Sequence, residues 1–408
     1  MTRLFASLFL FLATLAVAPA VPVGNRLLVL VSIDAFRWDY LQKYEAPTLN
    51  RLARDGVHAV RLTPSFPSKT FPNHFTLVTG LRPEHHGIVS NYFYDPELKA
   101  SFSKSNPADN TDPRWWQEGE PVWITAEKQG QRTACMFWPG DEAEIHGARP
   151  THYLNYDRHH DSAARVDQVL AWLAEPAPAP LRFCALYLET VDNAGHRFGP
   201  DDLRTGAAVK EADDAVARLL AGLDRLGLRD RTDLVVVSDH GLATQDVTKV
   251  IYLDDLMDLS QVRVESTGPN GGVSPLHGSA ADLAAAIRAK APPHLHVYLR
   301  DEVPGRYHYR DNPRIPAIVL DCDEHWNIEL RATVEKYAGH LDRGNHGWDP
   351  ALPNMGAILI AHGPDFRRGV ELPAVDNIHL YNLLCATLGL KPAPNDGDDT
   401  LVRAVLVP

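Results

Sequence analysis

Cysteine and methionine are scarce in this chain, four of each in 408 residues. Four cysteines cannot brace a domain of this length, so a disulfide-built scaffold is excluded. Positive charge is also in deficit: 40 Lys and Arg stand against 52 Asp and Glu, a formal net charge of −12. That balance lacks the basic footprint that holds duplex nucleic acid, although one nucleotide in a local site is compatible with it. Beyond the first residues there is no apolar run near the length of a membrane span, which excludes a polytopic membrane protein. Disorder and collagen-like sequence are excluded by a hydrophobic fraction of 45% and a charged fraction of 23%, both globular averages. The length allows two or three domains or one large α/β unit. What the chain does have is histidine, 19 in all, and that starts the search for metal.

Met1 to Ala20 reads as a signal peptide. Arg3 supplies the positive start, Leu4 to Val17 the apolar stretch, and Ala18-Pro19-Ala20 a small-residue cleavage site. The expectation is cleavage after Ala20, a periplasmic or secreted product, and no stable membrane span afterwards. Cys135, Cys184, Cys322 and Cys385 could pair in such a compartment, or could be plain core residues.

Apolar runs bounded by turn signals alternate with helical patterns. Arg26 to Asp34 is too apolar for a half-exposed strand and suits a central parallel one; 181–189, 233–239 and 355–363 match it. Helices are expected over Pro47 to Asp55, Ser162 to Leu173, Leu203 to Leu226 and Asp376 to Leu388. In the third, Val209, Ala212, Val216, Leu219 and Leu223 share one face. This alternation predicts a three-layer α/β sandwich with a mostly parallel central sheet. Residues 262–332, with short strands and many Pro and Gly, are expected to form a small inserted antiparallel lobe within a catalytic domain spanning 21–408.

In open α/β sheets ligands bind outside the carboxyl ends of the strands. There the first run ends at Asp34, the second leads to Asp192 and His196, and the third ends at Asp239 and His240. Any one of these aspartates could cap a helix; three converging, two with histidine partners, point to metal. Gly195 is expected to permit a tight bend between Asp192 and His196. Oxygen and nitrogen donors without thiolate suit Zn²⁺ in a catalytic site, with Mn²⁺ or Fe as alternatives. Two metals about 4 Å apart form the clamp used for in-line displacement at phosphorus. For the nucleophile, Thr70 precedes Phe71-Pro72 at the start of a short helix, where the dipole and free amides favour an anion. Position alone leaves open that Thr70 is an ordinary helix cap.

Several blocks resemble the nucleotide pyrophosphatase/phosphodiesterase family of the alkaline phosphatase superfamily. They are SIDAFRWDYL from Ser32, PSKTFPNHFTLVTGLRPEHHGIVSN from Pro67 to Asn91, and MFWPGDEAEIHGARP from Met136. YLETVDNAGHRFGP from Tyr187, SDHG from Ser238, NHGWDPALPNMGAILIAHGPDF from Asn345 and NIHLYNLLCATLGLKPAPNDG from Asn377 follow in order. The resemblance implies an alkaline-phosphatase-like fold and two zinc ions per chain. One would be held by Asp192, His196 and His346, the other by Asp34, Asp239 and His240 with Thr70 beside it. It implies Thr70 as nucleophile, Asn91 as phosphate-oxygen donor, and Phe71 and Tyr153 as rings that hold a nucleotide base. The implied reaction is hydrolysis of phosphodiester or pyrophosphate bonds of nucleotides to nucleoside 5′-monophosphates through a covalent nucleotidyl-threonine. The Cys-x-Pro-x-Arg motif of arylsulfatase relatives is absent, and Asn91 stands where a monoester phosphatase would carry a charge. The resemblance leaves open the same chemistry on a phospholipid or choline head-group diester, or on phosphonoacetate. A non-catalytic metal-binding protein is the remote alternative.

Overall fold

The computed structural model describes residues 26–176, 179–337 and 342–408; the expected signal peptide lies outside them. Leu27–Ile33 (β1) is apolar or small at every position and buried at every position. Its side chains divide by parity, as the period of two in a strand requires. Leu28 and Leu30 enter one core, while Leu27, Val29, Val31 and Ile33 enter the other. A strand that feeds two cores must lie inside a sheet covered on both faces.

That sheet has eight strands among the described residues. The others are β2 (Val57–Ala59), β3 (Arg132–Met136), β4 (His152–Tyr153), β5 (Leu181–Leu188), β6 (Thr232–Val237), β7 (Leu359–His362) and β8 (Val370–Leu372). Their order is β8–β2–β7–β6–β1–β5–β3–β4. From β6 to β4 every neighbour is parallel. The run 355–363 was expected to match them, but β7 is antiparallel to both β6 and β2. An all-apolar strand reports burial on both faces and carries no mark of direction, which is why the sequence could not show the reversal.

Among the helices that flank the sheet are α1 (Pro47–Asp55), α2 (Thr70–Thr79), α3 (Ser162–Ala174), α4 (Thr190–Phe198), α5 (Leu203–Arg225) and α6 (Leu380–Leu388). Leu49 and Leu52 of α1, Val166 and Val169 of α3, and Val209, Val216 and Leu223 of α5 pack on the Val29 side. Phe75 and Leu77 of α2 and Leu383 and Leu384 of α6 pack on the Leu28 side. The result is the three-layer α/β sandwich. Helix α6 is shorter than expected because Asn377–His379 forms a 3₁₀ turn before it. It stops at Gly389, whose φ of 67° is the left-handed conformation glycine adopts cheaply.

Within 262–332, Val262–Ser266, Asn270–Pro275, Ile318–Cys322 and Leu295–Leu299 form a separate four-stranded antiparallel sheet in that order. Val273, Ile287, Leu295, Ile318 and Leu320 give it a core of its own. Another short strand of this stretch, Asn327–Glu329, lies outside that sheet and pairs with Val250–Tyr252. The four cysteines are buried and unpaired. No helix among the described residues is long and apolar enough to cross a membrane.

Arg314, just before the lobe strand Ile318–Cys322, bolts the lobe to the rest. Its Nε donates to Asp95 Oδ2 at 2.7 Å, and its Nη1 donates to the carbonyls of Gly87 and Trp115. Burial pushes the Asp95 carboxyl up, but the Leu98 amide and the Arg314 guanidinium outweigh it and hold the group below its ordinary range. A depressed carboxylate stabilises the fold above its unfolded pKa and loses that contribution as pH falls through its folded one. Arg314→Met should therefore cost about 3 kcal/mol or more at neutral pH, because Asp95 stays buried without its partner. Urea denaturation should show the gap to wild type narrowing as pH falls below ~3.9, where the carboxyl no longer needs a counter-charge; a pH-independent gap would show that the loss is packing alone.

Candidate active site

The carboxyl ends of β5, β1 and β6 lie side by side, with Ile33 opposite Leu188 and Ser32 opposite Val237. Each strand delivers its acid to the same edge. Asp34 follows β1 directly, Asp239 follows β6 by one residue, and Asp192 sits in the first turn of α4 just beyond β5. Asp34 and Asp239 are essentially inaccessible and Asp192 nearly so.

Gly195 makes no bend, since Asp192 and His196 lie one turn apart on α4. Its glycine answers a different need. A Cβ there would fall 2.2 Å from Leu242 Cδ2, and the Gly195 carbonyl lies 2.5 Å from where a Cβ on Gly344 would be. The helix is pressed against its neighbours at the turn that carries both ligand candidates.

Ligand atoms of Asp34, Asp239 and His240 lie within 4.8 Å of one another, as do those of Asp192, His240 and His346. His240 belongs with the first group by distance: its Nε2 is 2.9 Å from Asp239 Oδ2 and 3.6 Å from Asp34 Oδ1. His196 joins the second, with Nε2 3.3 Å from Asp192 Oδ1, and His346 Nε2 is 3.7 Å from the same oxygen. The six residues expected as ligands thus form one cluster.

The donor set fits divalent metal in three respects. Asp34 Oδ1, Asp192 Oδ1 and Asp239 Oδ2 are buried and accept no hydrogen bond. The carboxylates' other oxygens are occupied where they face inward: Tyr187 donates to Asp34 Oδ2 at 2.6 Å, and the Ala35 amide to Asp239 Oδ1 at 3.2 Å. Finally, each histidine turns Nε2 into the cluster, and two of them anchor Nδ1 outside it. His240 Nδ1 meets the Gly241 carbonyl at 2.9 Å and His346 Nδ1 the Ser68 carbonyl at 2.8 Å, while His196 Nδ1 lies 3.2 Å from Asp342 without a hydrogen bond. A carbonyl accepts only from N–H, so it fixes the tautomer that leaves the Nε2 lone pair to a metal.

The charges are strongly coupled. Burial, with the Asp239 and Asp192 carboxylates close by, raises Asp34 well above the usual range. Burial also works against charge on Asp239, yet His240 and His74 prevail and hold it low. His196 is pushed up to about 10: burial opposes its proton, and the Asp192 carboxylate more than offsets that.

Thr70 is the first residue of α2, with Lys69 at the cap position and no side-chain cap bond, so it is no ordinary cap. Its Oγ1 lies 3.5 Å from His240 Nε2. A cavity of about 240 Å³ opens above it, lined by Asp34, Thr70, Phe71, Tyr156, Tyr187 and Asp192 among others. Phe71 therefore reaches the cavity as expected. Tyr153 is not among its lining residues; it sits on edge strand β4 with its ring 5.6 Å from the Arg149 guanidinium. Three residues on, Tyr156 lines the cavity instead. A residue's place within a loop is not periodic, so the sequence could not choose between the two tyrosines. Asn91 stands behind Phe71, its Oδ1 accepting the Phe71 amide at 3.0 Å, which leaves its Nδ2 to donate elsewhere.

Sequence reasoning missed His74 and Tyr187. His74 is buried one turn beyond Thr70, bonded to the Thr70 carbonyl through Nδ1 and to Ser32 Oγ through Nε2. Its i+4 spacing from Thr70 was the available signal. Glu189, at the cavity wall, is held by both nitrogens of Arg165 at 2.5 and 2.6 Å. A third acid–histidine group, buried Glu84 with exposed His85 and Asp311, lies apart from the cavity.

Comparison with known proteins decides the family. The model described as "Type I phosphodiesterase / nucleotide pyrophosphatase" matches residues 28–349. The chain belongs to that family. Mouse bis(5′-adenosyl)-triphosphatase enpp4 is 37% identical over 382 residues, covering 93% of this chain and 81% of the relative. Human ectonucleotide pyrophosphatase/phosphodiesterase family member 5 is 34% identical over 408 residues, covering all of this chain and 84% of its own. The solved structure of the murine member 5 superposes with a TM-score of 0.88 at 36% identity, covering 94% of this chain and 100% of that one. Another structure of that murine protein, an inactive threonine-to-alanine variant in complex with AMP, gives 0.87. The fold is thus the alkaline-phosphatase-like one, and the family is one of hydrolytic enzymes.

The packing around α4 generates a test. Gly195→Ala should lower thermal stability by about 1–3 kcal/mol and reduce bound metal, because the added methyl displaces the turn bearing Asp192 and His196. Adding Leu242→Ala to that variant should recover much of the metal content, and no recovery would mean that α4 is not set by this contact.

Proposed function

We propose that this chain hydrolyses phosphodiester and pyrophosphate bonds of nucleotides, releasing nucleoside 5′-monophosphates, with two zinc ions and a covalent nucleotidyl-Thr70 intermediate. The observation that carries the reading is the position of the Thr70 hydroxyl between the Asp/His cluster and a cavity lined by aromatic rings, Phe71 and Tyr156 among them. Asp34, Asp239 and His240 would hold one zinc and Asp192, His196 and His346 the other. When bound, the pair supplies Lewis acidity at phosphoryl oxygens and makes the threonine hydroxyl easier to ionise.

The remaining roles belong to side chains. Thr70 Oγ attacks phosphorus in line, an O–P bond forms, and the bond to the leaving oxygen breaks. Water then cleaves the nucleotidyl-threonine, so two inversions retain configuration. The amides at the start of α2 favour negative charge there. Asn91 Nδ2 is free to donate to a phosphate oxygen, where developing charge is best met by a fixed dipole. Phe71 and Tyr156 would hold the base, and the AMP complex of the murine relative supports a nucleotide as the occupant. Since every base has a π-face, stacking would accept several bases with modest differences.

With p-nitrophenyl thymidine 5′-phosphate and p-nitrophenyl phosphorylcholine offered side by side, the nucleotide ester should be turned over preferentially; the reverse preference would transfer the chemistry to head-group diesters. Thr70→Ala should abolish turnover while elemental analysis still finds two zincs per chain. One zinc or none in fully active enzyme would refute the two-metal reading.

The two tyrosines can be told apart. Tyr156→Ala should raise KM for a nucleotide substrate about ten- to a hundred-fold, the range that stacking energy implies, with a much smaller effect on base-free bis-p-nitrophenyl phosphate. Tyr153→Ala should do neither. Equal losses on both substrates in the Tyr156 variant would make that ring ordinary packing.

A further inference from the structure

Arg165, near the start of α3, is only 2% exposed, and every nitrogen of its guanidinium is in use. Nε donates to the His160 carbonyl at 2.9 Å, and Nη1 donates to the Tyr187 carbonyl at 3.0 Å. Nη1 and Nη2 together grip both oxygens of Glu189, a two-pronged pairing that fixes the plane of the carboxylate. The guanidinium also lies 5.0, 5.7 and 5.9 Å from the ring centroids of Phe137, Tyr156 and Tyr187, within range of cation–π attraction. Those three rings and Glu189 line the cavity above Thr70, whereas Arg165 is not among its lining residues. A cation placed behind the wall acts on an occupant only through the groups it holds.

Tyr156 has the most to gain from being held. It belongs to 154–161, a segment with neither helix nor strand, and 45% of its surface is exposed. A tyrosine so placed would ordinarily lose rotamer freedom when a ligand ordered it, at a cost in affinity. Here the order is built in. The phenol donates to Glu189 Oε1 at 3.0 Å, the amide donates to Glu142 Oε1 at 2.6 Å, and the ring meets Phe137 edge-on at 5.3 Å. Burial and the Glu189 carboxylate push the phenol up to about 12, so it stays a donor. Phe137 in turn has a φ of 65°, a conformation that a bulky residue keeps only where its surroundings impose it.

We propose that Arg165 is a positioning residue for the base site: it fixes Glu189, Glu189 fixes the Tyr156 hydroxyl, and the ring is thereby set against a nucleotide base before substrate arrives. This rests on the reading of the site given above, and it assigns part of the nucleotide preference to a side chain that touches no substrate. A second arm of the same guanidinium runs through Tyr187, which donates to Asp34, so metal content must be followed as well.

The test is a double-mutant cycle of Arg165→Met and Tyr156→Phe in zinc-loaded enzyme, with p-nitrophenyl thymidine 5′-phosphate and base-free bis-p-nitrophenyl phosphate as substrates. Tyr156→Phe keeps the ring and removes only the hydroxyl. Each single variant should raise KM for the nucleotide ester about five- to tenfold, as loss of a hydrogen bond to a charged group implies, with much smaller changes in kcat and on the base-free diester. The double variant should be little worse than either single one, because both break the same link. Where Arg165→Met does not fold, Arg165→Lys keeps the charge, loses the two-pronged grip and takes its place in the cycle. Additive losses, no loss in Tyr156→Phe, or equal losses on both substrates with fewer zincs per chain would make Arg165 a support of the fold or of the metal cluster, and each overturns the proposal. Calorimetry with AMP in the non-cleaving Thr70→Ala background repeats the cycle without turnover. Should wild type cleave neither substrate, the functional reading fails and the coupling of AMP affinities decides Arg165 on its own; absence of AMP binding overturns both.

Discussion

Everything at this site follows from burying three aspartates together at one edge of the sheet. An unpaired buried carboxylate costs several kcal/mol, and like charges a few ångströms apart add to that. Asp34 expresses the penalty directly, since burial and its two acidic neighbours drive it towards the neutral form. Asp192 and Asp239 escape only because His196 and His240 lie against them. The arrangement is sustainable when cations satisfy the oxygens that no hydrogen bond reaches. Fixing His240 and His346 by their Nδ1 atoms to backbone carbonyls leaves the Nε2 lone pair of each facing the cluster, which suits metal.

The sheet makes this convergence possible. Parallel neighbours β6, β1 and β5 end at the same edge, so residues far apart in the chain arrive within hydrogen-bond distance without long loops. That much was legible in the sequence, since each apolar run ended in an acid and such ends are where α/β sheets place their chemistry. The place of Thr70 at the start of a helix was legible too, from the proline that follows Phe71. What was not legible depended on contact rather than pattern. The reversed direction of β7, the reason for Gly195, and the lining of the cavity by Tyr156 rather than Tyr153 all turn on which atoms meet across the fold. Gly195 shows the difference well: the sequence shows that a side chain is absent, but only Leu242 shows what its absence admits.

The fixed position of Thr70 has a separate origin, and the lobe contributes to it. The segment before Thr70 has no regular structure of its own, so its position must be set by contacts on either side. Ser68 Oγ donates to the Trp348 carbonyl, and the Ser68 carbonyl receives His346 Nδ1. Lys69 Nζ reaches Asn270 on a lobe strand, and Phe66 stacks on Tyr307 with ring centroids 4.1 Å apart. Trp348 itself belongs to the hydrophobic core that the lobe strands share. One short loop is therefore pinned by the lobe above and a metal-ligand candidate beside it. A nucleophile must be held close to its in-line position for the entropic advantage of an enclosed site to be realised. In this chain the antiparallel insertion contributes to that hold, and the lobe is better regarded as a buttress for the segment leading to Thr70 than as an appendage to the sandwich.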